Sequence, residues 1–219
     1  MTSGINIYIT FAMMKTILTI LALSISIAAS ASYPEISRRL AEYTEACVTM
    51  RDGVLNHDRY ALMDARETFA SVLAKPYRDF TVERESCKGA LGDPTMQFNE
   101  FYCDSLLANG FRLVELDNLS VMRGGKDNPE VLCYCASLAG NAQVQLSFMA
   151  SGDCGLTIVT ADALPIEADL TLDSTPIRFT SRDKGTVRTA AWKMDGFGYL
   201  KFTLRNPNPT RQTFVVALQ

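Results

Sequence analysis

Apolar residues along this chain change their period once, near residue 111, and the change divides the fold. From 33 to 75 they recur every three or four positions. Ile36, Leu40, Tyr43, Cys47, Met50 and Val54 fall on one face of a helix. Ser32-Tyr33-Pro34-Glu35 has the S-x-x-E form of a capping box, with proline in the first turn, where its missing N–H is not needed. The pattern breaks around Gly53 and resumes at Asp58. A second helix follows to Ala74, with Leu62, Ala65, Phe69 and Val72 on its buried side, and Pro76 stops it. The short loop between the two predicts an antiparallel helical hairpin. Residues 76–97 carry no period and predict irregular chain. Asn99 predicts the cap of a third, short helix through Leu107, with Asn109-Gly110 as its stop.

Beyond 111 the period becomes two. Ala142, Val144, Leu146 and Phe148 alternate with polar neighbours, as do Leu200, Phe202 and Leu204, and again Phe214, Val216 and Leu218. Turn clusters separate these runs: Gly124-Gly125-Lys126-Asp127, Ser151-Gly152-Asp153, Arg182-Asp183-Lys184-Gly185 and Asn206-Pro207-Asn208-Pro209. The expected class is α+β, an N-terminal helical hairpin followed by an antiparallel β-sandwich or jelly roll of about eight strands. In domain terms this means a mainly helical segment over 32–110 and a β-sandwich over 111–219.

The N-terminus is read apart from the fold. From Met14 it runs MKTILTILALSISIAASASYPE: one charge at Lys15, an apolar run Ile17–Ile27, then Ala29-Ser30-Ala31. These are the three parts of a secretory signal peptide, so 1–31 is expected to be cleaved after Ala31. The uncharged MTSGINIYITFAM ahead of it leaves Met13 or Met14 as the true start. The competing reading, an uncleaved anchor, is disfavoured because the uncharged stretch Thr16–Ala31 is shorter than the ~20 residues of a comfortable span. The expected location is secreted or periplasmic, with no membrane span after cleavage.

Composition narrows the partners. The chain has 219 residues, 47% hydrophobic and 21% charged, as in globular proteins. Net charge is −3, and loss of Lys15 with the leader makes it −4. That balance disfavours nucleic acid or anionic lipid. From Val131 to Gln219 eight Lys/Arg face seven Asp/Glu, which leaves no basic face. No G-x-x-x-x-G-K-[ST] phosphate loop is present.

Six cysteines, Cys47, Cys87, Cys103, Cys133, Cys135 and Cys154, all follow the leader, and an even number in an exported protein points to disulfides. On a strand Cys133 and Cys135 share one face, opposite Leu132, Tyr134, Ala136 and Leu138, and a two-residue step keeps them from bonding to each other. The expected pairs are Cys47–Cys87, Cys103–Cys133 and Cys135–Cys154. Buried unpaired thiols are the alternative. C-x-C spacing and a single histidine speak against zinc, and the absence of C-x-x-C against a thioredoxin-like centre.

Other chemistry is sparse. His57, beside Asp58, could be a general base, but it sits where the hairpin turns and has no G-x-S-x-G nucleophile for company. Glu167, Asp169 and Asp173 share a strand face with Thr171 and are the calcium candidates; otherwise no cofactor is expected. The bland reading of the same residues is the wet face of an outer strand. Trp192 shares parity with Ala190 and Met194 and reads as core, whereas Tyr199 and Lys201 point the other way and are the candidate ligand-binding pair. Asn118-Leu119-Ser120 is a glycosylation sequon for a eukaryotic host.

The run DLTLDSTPIRFTSRDKGTVRTAAWKMDGFGYLKFTLRNPNPTRQTFVVAL resembles the pre-peptidase C-terminal (PPC)-like β-sandwich domains of secreted bacterial proteins over residues 140–219. The shared features are a D-L-x-L strand, a glycine-bearing turn, a strand ending near tryptophan, then G-x-G-Y-x-x-F and a last strand after an Asn-rich turn. The resemblance implies export and binding without catalysis, and it carries over no active-site residue. The expected function is therefore an exported, non-enzymatic binding module for an extracellular glycan or protein. The alternatives are a small secreted hydrolase using Asp169 and Asp173, or a structural envelope protein.

Overall fold

The computed structural model describes residues 35–92, 98–111 and 131–219. The leader, the 118–120 sequon and the 124–127 turn lie outside them. Helix α1 spans Arg38–Asn56, α2 Arg59–Val72 and α3 Glu100–Ala108. The cap of α1 is Ser37, whose hydroxyl accepts from Leu40 N–H at 3.1 Å; the expected capping box starts at Ser32, outside the described residues. His57 closes α1 in the left-handed region, its N–H reaching the Gly53 and Val54 carbonyls. Asp58 then caps α2 through the Tyr60 and Ala61 amides, and Asn99 caps α3 through Tyr102.

Three short strands occupy the stretch without a period: β1 (Lys75–Pro76), β2 (Thr81–Glu85) and β3 (Leu91–Gly92). Two-residue strands cannot display an alternation, and β2 is exposed along most of its length. Nine more follow: β4 (Leu132–Leu138), β5 (Gln143–Ser151), β6 (Cys154–Thr160), β7 (Glu167–Leu172), β8 (Thr175–Ile177), β9 (Thr180–Arg182), β10 (Val187–Trp192), β11 (Phe197–Arg205) and β12 (Gln212–Leu218). A seven-stranded sheet has the order β1-β4-β12-β6-β10-β9, with β3 also on β4; a five-stranded sheet has the order β2-β5-β11-β7-β8. From β4 onward the chain alternates between the sheets except at the β7–β8 and β9–β10 hairpins, which is jelly-roll order.

Two cores result, one on each side of the larger sheet. Tyr134, Ala136, Leu138, Leu156, Ile158, Trp192, Phe214 and Val216 meet Val144, Leu146, Phe148, Leu200, Phe202 and Leu204 of the smaller sheet. The opposite residues of the larger sheet, Cys133, Cys135, Val159, Val215 and Ala217, meet the apolar stripes of α1 and α2 and the buried side of α3. Each large side chain buried there contributes roughly 1.5–3 kcal/mol. The change of period near 111 thus marks a change of element within one folded unit. No helix among the described residues is long and apolar enough to cross a membrane.

Candidate functional site

The smaller sheet keeps its outer face in solvent, and register decides what that face carries. Facing residues of paired strands project to the same side. Tyr199 stands against Met149, Lys201 between Ser147 and Thr171, Thr203 between Gln145 and Asp169, and Arg205 between Gln143 and Glu167. At one end of this polar face lies an apolar corner: Phe197 is 81% exposed, Met149 56% and Tyr199 37%.

The rings do not stand alone. Ser147 Oγ donates to Glu83 Oε1 at 2.6 Å and Tyr199 Oη donates to the same oxygen at 2.7 Å. Lys201 Nζ lies 5.9 Å from the centroid of the Tyr199 ring. Glu83 comes from β2, at the irregularity between Val82 and Arg84 where that strand joins β5. The sequence pointed to Tyr199 and Lys201, and the structure places both here. It did not point to Glu83 or Ser147, since nothing in a run read as irregular marks a carboxylate that meets β5 and β11.

The two hydroxyls, Ser147 first and then Tyr199, hold the Glu83 carboxyl below the usual carboxylate range. A lowered folded-state value means the network's contribution is complete above the unfolded value and is lost as pH falls through the lowered one. An NMR titration is expected to place the Glu83 midpoint below the ordinary value of about 4.3. Ser147→Ala should move it back upward further than Tyr199→Phe does. A midpoint at or above the ordinary value in the unsubstituted protein would remove this picture.

The calcium candidates are spread out. Glu167 pairs with Arg205 at 3.5 Å. Asp169 sits mid-strand opposite Thr203. Asp173, in the left-handed region at the β7–β8 turn, accepts from Tyr199 N–H at 3.4 Å. Six residues of strand separate Glu167 from Asp173, about 20 Å, so the three carboxylates do not converge on one ion. Asp169 and Asp173 are about 13 Å apart by the same rise, beyond the ~5–9.5 Å of a glycosidase pair. His57 is the left-handed cap of α1, edge-on to Phe111 at 5.3 Å, and the carboxylate of Asp58 is committed to the α2 amides. Trp192 faces the sandwich core opposite Cys154, as its parity predicts.

None of the expected disulfides is formed; all six cysteines are thiols in this structure. Position explains two of the three pairs. Cys135 faces the helices, whereas Cys154 packs on the sandwich side of the same sheet. Cys47 is fully buried on the inner side of α1, whereas Cys87 is exposed in the turn after β2. Cys103 and Cys133 share a core but are not bonded. Cys133 and Cys135 do share one face, as expected, yet that face is covered by the helices, so both faces of β4 are buried. Burial pushes the Cys103 thiol up to about 12, and burial followed by proximity to Cys135 raises Cys47 and Cys133 as well.

Fold and surface together define a class: a jelly-roll sandwich with a helical layer on its larger sheet and an aromatic-tipped polar face on its smaller one. No family model matches the chain, and no curated protein matches it.

Proposed function

We propose that this protein is an exported, non-catalytic binding module that holds a neutral extracellular glycan on the outer face of its smaller sheet. The observation that supports it most is the apolar corner of Phe197, Tyr199 and Met149 beside the Glu83–Ser147–Lys201 polar cluster. An exposed ring offers an apolar platform, and neighbouring polar groups fix orientation. Two of the acids on this face have a basic neighbour, Glu83 in Lys201 and Glu167 in Arg205, so the face carries no strong charge of one sign, which suits an uncharged, hydroxyl-rich ligand better than a polyion. The resemblance of residues 140–219 to PPC-like domains favours binding and export, and the leader-like N-terminus favours export.

Screening the protein against neutral oligosaccharides should give saturable binding to one class. Tyr199→Ala should weaken it at least about tenfold, the loss of more than 1.4 kcal/mol, and Glu67→Ala on α2 should leave it unchanged. Chelation of divalent cations should not alter the affinity. An intact mass beginning at Ser32 would support export. Binding that survives Tyr199→Ala together with Phe197→Ala would overturn the assignment of this face.

A further inference from the structure

The edge strand β2 carries one carboxylate onto the outer face of the smaller sheet, and its register with β5 singles that residue out. Thr81 pairs with Ser147 and Val82 with Leu146, but the next pairs are Arg84 with Gln145 and Glu85 with Val144. Glu83 is therefore the extra residue of a β-bulge and has no partner of its own on β5. A bulge re-aims the side chain it inserts. Here that side chain reaches Ser147, whose Oγ donates to Glu83 Oε1 at 2.6 Å.

Tyr199 meets the same oxygen from another strand. It belongs to β11, which lies on the far side of β5 from β2, and it stands level with Met149, two residues beyond Ser147. Its Oη nevertheless donates to Glu83 Oε1 at 2.7 Å, so the ring lies across β5 with its tip at β2. Ser147, bonded to that same oxygen, is only 2% exposed although it projects from the solvent face opposite Lys201. The Tyr199 ring is thus held at its base by β11 and at its tip by Glu83, with Lys201 Nζ 5.9 Å from its centroid. Phe197, two residues away on the same face, has no polar tip to tether and is the more exposed ring.

We propose that Glu83 is the positioning residue of the ligand-binding face, holding the Tyr199 ring in the orientation in which a sugar stacks on it. An exposed side chain that turns freely loses that freedom when a ligand settles on it, and binding is weakened accordingly. A ring tethered at both ends has already lost it. Glu83 acts through Tyr199, so its effect on binding depends on the phenol hydroxyl being present. This role rests on the glycan binding proposed above and adds to it the residue that sets the platform.

The test is a double-mutant cycle on binding, using the full chain and a panel of neutral hexasaccharides of glucose, xylose and mannose. Glu83→Ala and Tyr199→Phe should each weaken the wild-type interaction about three- to tenfold, the range that ordering one side chain is worth. The double variant should be no weaker than either single one, because both remove the same tie. Glu83→Gln keeps an oxygen able to accept from both hydroxyls and should restore affinity to within about twofold of wild type. In spectra of protein labelled at tyrosine, the Tyr199 ring signal should move in Glu83→Ala before any sugar is added. Losses that add in the double variant would overturn the role and leave the glycan face standing. So would binding that is unchanged in both single variants but abolished by Tyr199→Ala. Should Glu83→Ala fail to fold, Tyr199→Phe decides alone, and wild-type affinity in that variant overturns the role. A wild type that binds no hexasaccharide of the panel would overturn the glycan reading and the role with it.

Discussion

Asn206→Ala is expected to lower the melting temperature by about 10 °C, one of the two largest effects foreseen for a single substitution. Asn206 is fully buried after the end of β11. Its Nδ2 group donates to Leu138 O at 3.1 Å, Ala139 O at 3.2 Å and Thr210 O at 2.8 Å. Its Oδ1 accepts from Asn208 N and Nδ2, both at 2.9 Å. One side chain thus ties the β4–β5 corner to the β11–β12 corner. Truncation strands buried carbonyls and amides at roughly 1–3 kcal/mol each. Allowing for water entering the gap, a total near 4 kcal/mol is reasonable, and at about 2–4 °C per kcal/mol for a chain of this size it gives the stated shift. Asn206→Asp should be worse than its similar shape suggests, because it turns an anion toward three carbonyl oxygens. A calorimetric shift under about 3 °C for Asn206→Ala would mean that the corner is held by something else.

The second large effect is Phe202→Ala, expected to cost about 3–5 kcal/mol. Phe202 is fully buried, stands between Leu146 and Leu170 in register, and has Phe179 with ring centroids 6.3 Å apart. The informative comparison is its neighbour. Lys201→Ala, one residue away on the outer face, should stay within about 0.5 kcal/mol, while reducing ligand binding if the proposed face is correct. Denaturant unfolding of the pair measures the parity of β11 directly. Similar losses for both would mean that this strand is not half-buried.

These two residues show what kind of information each level carries. Phe202 was legible in the sequence because alternation is local: Leu200, Phe202 and Leu204 declare their common face without reference to any other strand. The stripes of α1 and α2 were legible for the same reason at a period near 3.6, as was Asn99 as a cap. Asn206 read only as part of a turn cluster, since its partners at Leu138 and Ala139 are 68 and 67 residues away. Glu83 was invisible because its role depends on β5 and β11, which arrive later in the chain. Ser37, which the spacing did not single out, caps α1.

The cysteines draw the same line. That Cys133 and Cys135 share a face follows from the pleat, and the sequence alone determined it, along with the α+β class, the two helical stripes and the inward set of each long strand. Those are one-dimensional periodicities imposed by backbone geometry. Which face of β4 lies under the helices and which residues gather round Tyr199 were decided only in the tertiary structure. Such facts depend on the order and direction in which distant segments pack, and the spacing of residues along a chain does not encode them in any local pattern.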